Sequence, residues 1–155
     1  EVEKGSRFNV YLPLLMEEEI EWESEDSSPV VGGRERILIV DDEANLVELG
    51  MELLSNLGYD VTGRTSSLED LELFRVKPDS FDLVITDMTM PNMTGVDLAR
   101  EMTIIRPDLP IILCTGFSEM ISMEKATSFG IRRFITKPLL IKNLAMAIRE
   151  VLDTR

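Results

Sequence analysis

Residues 36–43 read RILIVDDE, which is an arginine, four apolar residues and three acids in succession. A continuous apolar run of this length is typical of a strand buried on both faces of a parallel sheet. The acids stand at the carboxyl end of that strand, and doubly wound sheets bind their ligands at this edge. The stretch therefore predicts the fold class and also indicates where in the molecule chemistry should be sought.

The alternation of strand and helix continues to the end of the chain. Apolar residues at helical spacing between residues 46 and 57 predict a first helix, and Gly58 is well placed to end it. Ser66 or Ser67 is expected to cap a short second helix. The other predicted strands are Tyr59–Thr62, Phe81–Thr86, Ile111–Cys114 and Arg133–Thr136, and the other predicted helices are Val96–Arg106, Met120–Phe129 and Ile141–Leu152. Five strands alternating with five helices predict an α/β fold with one doubly wound, five-stranded parallel sheet and helices on both faces.

The negative charge of the chain is concentrated near its start. Of the 155 residues, 29 are acidic and 16 are basic, which gives a net charge of −13. Residues 1–33 contain nine acids and two bases. Because like charges repel and the Ser, Pro and Gly residues that follow favour loose chain, residues 16–33 are predicted to be an acidic flexible linker, with an acidic docking tail as the alternative. The globular domain is then expected over residues 34–155.

Several functional classes are excluded by what the sequence lacks. There is no histidine, which removes Ser-His-Asp and Cys-His nucleophiles and imidazole metal sites. A single cysteine cannot form an internal disulfide and fits a reducing compartment, so a cytoplasmic location is expected. Because the chain is acidic and has no long apolar run, we expect neither nucleic-acid binding nor direct membrane contact by this fragment.

Reactive side chains follow four of the five predicted strands. They are Asp41 and Asp42 after the first, Asp87 after the third, Thr115 after the fourth and Lys137 after the fifth. Carboxylates gathered at one edge are costly unless a cation joins them, and Asp-rich oxygen sites suit Mg²⁺. A lysine suits a phosphate oxygen, a threonine can donate to another, and an aspartate can act as the nucleophile. The combination indicates phosphoryl transfer, although each residue alone also fits an ordinary helix cap, turn or surface position.

Four segments together resemble the receiver domain of response regulators in two-component signalling. They are residues 37–43 (ILIVDDE), 87–95 (DMTMPNMTG), 114–116 (CTG) and 137–138 (KP). The resemblance covers about residues 35–154 and implies a flavodoxin-like sheet with the strand order 2-1-3-4-5. It also implies a phosphorelay function, in which a phosphoryl group passes from phosphohistidine to an aspartate in an Mg²⁺-dependent reaction that switches a partner-binding face.

The resemblance assigns catalytic and metal-binding roles by position. Asp87 is implied to be the phosphoacceptor, and Lys137 is implied to contact the phosphoryl group. Asp42 is implied to bind Mg²⁺ directly, with Mn²⁺ as a substitute, while Asp41 acts largely through water. Asp87 itself and the backbone carbonyl of Thr89 complete the protein's share of the metal shell.

The resemblance also implies a switch. Thr115 is expected to bond the phosphoryl group after transfer, and Phe134 to move with it, which alters the face formed by the fourth predicted helix, the fifth strand and the last helix. This face is the expected surface for a homodimer, and the expected partners are a histidine kinase or a histidine phosphotransfer domain. The residues implied to shape the loops of the site are Pro91, Gly95, Gly116 and Pro138.

The N-terminal segment carries a second, shorter resemblance. Residues 5–13 (GSRFNVYLP) resemble the closing strand of a histidine-kinase ATP-binding domain. Residues 1–15 are therefore predicted to be the residual end of an upstream kinase domain, which makes the chain the C-terminal receiver of a hybrid sensor histidine kinase. The receiver would catalyse its own aspartyl phosphorylation and dephosphorylation, whereas the sequence holds no phosphoaccepting histidine and no glycine-rich ATP lid.

Three other functions are alternatives. A haloacid-dehalogenase-like phosphatase also uses an aspartate nucleophile and Mg²⁺, but it needs a second aspartate two residues later, where this chain has Thr89. A non-catalytic, receiver-like docking module is disfavoured because such modules usually lose the acid pair or the lysine. The third alternative is a stand-alone, single-domain response regulator, and residues 1–15 argue against it.

Overall fold

A computed structural model describes residues 8–11, 31–116 and 129–154 of the chain. The strands and helices in chain order are β1 (Arg36–Val40), α1 (Ala44–Asn56), β2 (Asp60–Arg64), α2 (Ser67–Val76), β3 (Leu83–Asp87), α3 (Gly95–Ile105), β4 (Ile111–Thr115), β5 (Ile131–Thr136) and α4 (Ile141–Asp153). A 3-10 turn, Pro78–Ser80, lies between α2 and β3. The helix predicted over Met120–Phe129 lies outside the described residues except for Phe129, and so do most of the predicted N-terminal strand and linker.

The five strands form one parallel sheet with the order β2-β1-β3-β4-β5. Each pair of neighbours is parallel. The predicted α/β class and the strand order are thus confirmed, and β2 lies at an edge of the sheet. The chain order reverses between β1 and β3, so the carboxyl ends of these two strands mark the point where such sheets bind ligands.

Apolar side chains cover both faces of the sheet. On one face α2 and α3 pack over the strands and bury Phe74, Leu98 and Met102. On the other face α1 and α4 bury Leu54 and Ile148. Because successive residues of a strand point to opposite faces, the inner strands need an apolar side chain at almost every position, which explains the continuous apolar runs.

Local signals set several helix ends. Of the two candidate serines, Ser66 caps α2, and its hydroxyl accepts a hydrogen bond of 3.4 Å from the N–H of Glu69. The hydroxyl of Thr94 caps α3 by accepting from the N–H of Asp97 at 3.2 Å. Gly58 follows α1 with a φ of 95°, a left-handed conformation that favours glycine at a helix C-terminus.

The packed region begins two residues earlier than the sequence indicates. The N–H of Gly33 donates to the carbonyl of Leu57 at the end of α1, at 3.2 Å. A side chain on Gly32 would collide with the same carbonyl, so Gly32 lies directly against the backbone there. Composition alone places Gly32 and Gly33 in the linker, because composition cannot predict their close tertiary contact with the backbone of Leu57.

Residues 8–11 lie in no helix or strand. Phe8 and Tyr11 are each 89% exposed, and Val10 is 80% exposed. None of the helices in the described part of the chain is long and apolar enough to cross a bilayer.

Candidate functional site

Parallel pairing brings the carboxyl ends of the inner strands to one edge of the sheet. Asp87 is the last residue of β3, one position later than the predicted strand end, because it pairs with Cys114 of β4. Asp41 directly follows β1, and its N–H donates to the carbonyl of Arg64 at the end of β2, at 3.2 Å. Lys137 directly follows β5, and its N–H donates to the carbonyl of Thr115 at 2.9 Å.

The side chain of Lys137 joins two of the predicted acids. Its Nζ lies 2.8 Å from Oδ2 of Asp41 and 2.7 Å from Oδ1 of Asp87. Both aspartates are buried, at 6% and 8% exposure. Burial lowers the pKa of the ammonium, but hydrogen bonds and charge attraction from both carboxylates outweigh this, so the pKa of Lys137 is raised above its ordinary value. Lys137 is therefore a permanent cation at the centre of the site.

The second oxygen of Asp87 is held by the backbone that follows it. The N–H of Thr89 donates to Oδ2 at 2.9 Å. The loop then closes on itself, because the N–H of Gly95 donates to the carbonyl of Met88 at 3.0 Å. A side chain on Gly95 would collide with the backbone oxygen of Asp87, so α3 starts as close to the phosphoacceptor candidate as a glycine permits.

Asp41 serves a turn as well as the site. Its Oδ1 accepts a hydrogen bond of 2.9 Å from the N–H of Glu43, while Oδ2 faces Lys137. This contact is an Asx-type turn. The helix cap that the sequence also allowed for Asp41 does not form, because the N-cap residue of α1 is Glu43. The same carboxylate therefore shapes the chain before α1 and holds the lysine.

The donor set fits a hard divalent cation. Asp42 has an exposed side chain beside Asp41, so three carboxylates and one ammonium give this edge a formal charge of −2. Oxygen donors with uncompensated negative charge are the ligands that Mg²⁺ and Mn²⁺ prefer. Within residues 8–11, 31–116 and 129–154, no three Asp, Glu, Cys or His side chains are gathered closely enough to hold a metal ion by themselves. Such a site would leave coordination positions for water and phosphate oxygens, as is usual for Mg²⁺.

The remaining predicted residues surround this group. Thr115 is half-buried at the end of β4, and Phe134 is half-buried on β5, against the core under α2 and α3. Pro91 and Pro138 are exposed, Gly116 is half-buried, and the Lys137–Pro138 peptide bond is cis.

Sequence reasoning missed two buried polar residues close to the site, Ser67 and Asp70 in the first turn of α2. They are only 3% and 2% exposed. Both stand in a segment rich in polar residues, SSLEDLE, so the sequence gives no sign that these two polar side chains are buried while Glu69 and Glu72 are exposed.

Most of the chain is similar to proteins of a known family. The sequence profile of the response regulator receiver domain matches residues 37–149. The chain belongs to this family. The chemotaxis protein CheY of Thermotoga maritima is 33% identical to the receiver over 118 residues, which cover 75% of this chain and 96% of that protein. A crystal structure of a receiver domain protein from Clostridium thermocellum has a TM-score of 0.73 and 32% identity, covering 77% of this chain and 95% of that one.

Another relative extends the match to the segment that precedes the receiver. The sensor kinase CckA of Brucella abortus is 30% identical over an alignment of 165 positions, which covers 99% of this chain. The chain spans only 17% of the length of that kinase. The family assignment and the receiver resemblance are therefore confirmed, and the chain is similar to part of a sensor kinase.

Proposed function

We propose that the receiver is the phosphoacceptor of a phosphorelay, in which Asp87 takes a phosphoryl group from the phosphohistidine of a histidine kinase or a histidine phosphotransfer domain. The observation that supports this most directly is Lys137, whose Nζ lies 2.7 Å from Asp87 and 2.8 Å from Asp41. A fixed cation beside a buried carboxylate is needed where an anionic group must approach an anionic nucleophile.

In the proposed reaction an oxygen of Asp87 attacks phosphorus. The O–P bond forms as the N–P bond of phosphohistidine breaks, and the electron pair of that bond returns to the imidazole nitrogen. Lys137 neutralises charge on the transferred oxygens, and the N–H of Thr89, now bonded to Oδ2, keeps the carboxylate oriented. Hydrolysis later replaces the aspartyl oxygen bond to phosphorus with a bond to water oxygen.

We propose that Mg²⁺, or Mn²⁺ in its place, is held by the carboxylates of Asp41, Asp42 and Asp87 and the backbone carbonyl of Thr89. A bound divalent ion supplies further positive charge to the phosphoryl oxygens. The formal charge of −2 at this edge favours such an ion.

Phosphorylation is proposed to act on the neighbouring strands. Thr115 ends β4 beside Lys137, so its hydroxyl can bond an oxygen of a group on Asp87 and draw the β4 end toward it. Phe134 lies one strand away and packs only partly in the core, which leaves it room to change position. The face of β5 and α4, with Met146 at 63% exposure, is the proposed surface for a protein partner or a second copy.

The receiver is further proposed to come from a hybrid sensor histidine kinase. The alignment with the CckA kinase includes the N-terminal segment as well as the receiver. The exposed apolar side chains of residues 8–11 are what a strand would present after removal from its own sheet. On this proposal residues 1–15 end the kinase domain, residues 16–33 form the connecting segment and residues 34–155 form the receiver.

Phosphorylation by a small donor tests the proposed chemistry. The receiver is incubated with acetyl phosphate and Mg²⁺, and its intact mass is compared with that of Asp87→Asn and of Asp79→Asn, an exposed aspartate distant from the site. We expect one phosphoryl adduct in the wild type and in Asp79→Asn, and none in Asp87→Asn or in EDTA.

A folded wild type without an adduct is then offered a phosphorylated histidine phosphotransfer domain. Failure with that donor as well would overturn the phosphoacceptor proposal and favour a docking module.

A further inference from the structure

The first turn of α2 holds a hydroxyl that points into the protein. Ser66 caps the helix, so the neighbouring Ser67 is not needed for that purpose. Ser67 is 3% exposed, and its Oγ donates to the carbonyl of Met93 at 3.0 Å. The two residues are 26 positions apart in the sequence, so this bond ties α2 to a different part of the chain.

Met93 belongs to the loop of residues 88–94, which leads from Asp87 to α3. The loop turns sharply here, because the N–H of Met93 donates to the carbonyl of Pro91 at 2.8 Å and Asn92 has a φ of 66°. Asn is one of the few non-glycine residues that tolerate this left-handed conformation, which suits it to a sharp turn. The bond from Ser67 reaches the residue next to this turn position.

The other end of the loop carries the proposed phosphoacceptor. The N–H of Thr89 bonds Oδ2 of Asp87, and the N–H of Met88 donates to the carbonyl of Cys114 at 2.9 Å. A shift of the loop at Met93 would therefore change the direction of the N–H that orients the carboxylate.

The same helical turn also faces the strand that supports Asp41. The buried carboxylate of Asp70 lies 3.7 Å from the side chain of Arg64. The backbone carbonyl of Arg64 accepts the N–H of Asp41. One turn of α2 thus contacts the chain segments that lead to both carboxylates bound by Lys137.

We propose that Ser67 is a positioning residue for the phosphoryl transfer, which acts by holding the loop after Asp87 through the carbonyl of Met93. This inference rests on the proposed function of Asp87, but the hydrogen bond predicts effects that do not depend on phosphorylation. Ser67 touches no reacting atom, so its removal should change the orientation of the carboxylate and leave the access of the donor unchanged.

The experiment compares Ser67→Ala with Ser66→Ala. Both remove one hydroxyl from the same helical turn, but Ser66→Ala removes the cap and leaves the loop contact in place. The first readout is amide exchange followed by NMR in the unphosphorylated protein. We expect Ser67→Ala to speed the exchange of the Thr89 amide about five- to tenfold, as the loss of one hydrogen bond allows. Ser66→Ala should instead speed the exchange of the Glu69 amide and leave Thr89 at the wild-type rate.

The second readout is the rate of phosphorylation as acetyl phosphate is varied. We expect Ser67→Ala to lower the maximal rate about three- to tenfold and to leave the half-saturating concentration unchanged, because orientation is affected and donor binding is not. Ser67→Thr keeps the donor and should restore the rate.

Four outcomes separate the explanations. Equal maximal rates in Ser67→Ala and the wild type would overturn the positioning role and leave the function of Asp87 intact. So would equal losses in Ser67→Ala and Ser66→Ala, since both would then act through the stability of α2. A wild type that is not phosphorylated by any donor would overturn the proposed function, while unchanged Thr89 exchange in Ser67→Ala would independently overturn the loop contact.

Discussion

Asp70 is a carboxylate placed where a charge is costly. It is 2% exposed, its Oδ2 has no hydrogen-bond partner in the described part of the chain, and Arg64 stands 3.7 Å away with about half of its side chain in solvent. Burial raises the pKa of Asp70 to about 7, with the attraction of Arg64 only partly opposing it and the repulsion of Glu69 adding to it. The residue therefore changes charge near neutral pH.

This raised pKa predicts a stability that falls with increasing pH. The folded protein holds a proton on Asp70 that the unfolded chain releases near its ordinary pKa of 3.8. The stabilisation by that proton is complete below pH 3.8, declines as the pH rises and is lost above about pH 7. We expect Asp70→Asn to be more stable than the wild type at pH 8 by about 1–3 kcal/mol, and the advantage to shrink toward pH 5.

Urea denaturation at pH 5, 6, 7 and 8 measures this difference. Because other carboxylates also titrate, the quantity to follow is the difference in unfolding free energy between variant and wild type. Glu72→Gln is the control, since it removes an exposed acid of the same helix and should give a difference that hardly depends on pH in this range. A difference for Asp70→Asn that stays constant from pH 5 to 8 would show that this carboxyl is already ionised at pH 5.

At the scale of the elements, the start of α3 is fixed by how closely it approaches β3. A Cβ on Gly95 would collide with the backbone oxygen of Asp87 and press on the side chain of Leu113. A Cβ on Gly50, in the middle of α1, would meet only the Cδ1 tip of Ile39, at 3.1 Å. Both glycines are helical and buried, so they differ chiefly in whether the atom that a Cβ would meet can move. The backbone of Asp87 cannot move easily, whereas the side-chain tip of Ile39 can.

The two glycines therefore predict opposite results for the same substitution. Gly95→Ala must displace α3 from β3, and we expect it to lower the free energy of unfolding by about 2–4 kcal/mol and to slow phosphorylation of Asp87. Gly50→Ala gains up to about 1 kcal/mol of helix propensity against a small rearrangement of Ile39, and should lie within about 1 kcal/mol of the wild type. Thermal unfolding and the acetyl phosphate assay measure both effects. Equal stabilities of the two variants would refute the close approach at Asp87.

The elements also show what a sequence can reveal. The inner strands were predictable because burial on both faces demands continuous apolar runs. The meeting of Asp41, Asp87 and Lys137 at one edge was predictable because they follow those runs. The end of β3 at Asp87 could not be predicted from the sequence, since its pairing with β4 decides where the strand ends. The inward orientation of Ser67 could not be predicted either, since the sequence offers two adjacent serines and only the packing decides which one caps α2.

At the scale of the whole molecule, the candidate phosphoryl-transfer site and the contacts that hold the segment before β1 lie at opposite edges of the sheet. The candidate phosphoacceptor lies at the carboxyl edge of the sheet, whereas the segment that leads into β1 is fastened at the amino edge. There the guanidinium of Arg149 on α4 bonds Glu35 at 2.5 Å and lies 5.6 Å from the ring centroid of Tyr59. The segment before β1 is thus joined to the first and last helices of the described fold, far from Lys137.

Because the two edges are separate, we expect the Glu35–Arg149 contact to affect the stability of the fold and not the rate at which Asp87 is phosphorylated. Burial opposes ionisation of Glu35, but the hydrogen bond and charge of Arg149 and local N–H donors outweigh it, so the pKa of Glu35 is lowered and the pair stabilises the fold at neutral pH. We expect Glu35→Gln to lower the free energy of unfolding by about 1–2 kcal/mol at pH 7, because Arg149 is 19% exposed and loses its charged partner. As the pH falls below the ordinary value of 4.5, the carboxyl protonates in the folded protein and the difference should vanish.

The matched control is a second ion pair on the same helix. Glu150 lies 3.3 Å from Arg133, and both side chains are about half exposed, so Glu150→Gln should cost less than about 0.5 kcal/mol. Urea denaturation of both variants measures the costs, and acetyl phosphate measures the chemistry, for which we expect both variants to match the wild type. A slower phosphorylation of Glu35→Gln, at a temperature where it is fully folded, would mean that the amino edge is coupled to Asp87 through the sheet. In that case the segment before β1 would transmit changes from the upstream part of the chain to the phosphoacceptor, and the two edges could no longer be treated as independent.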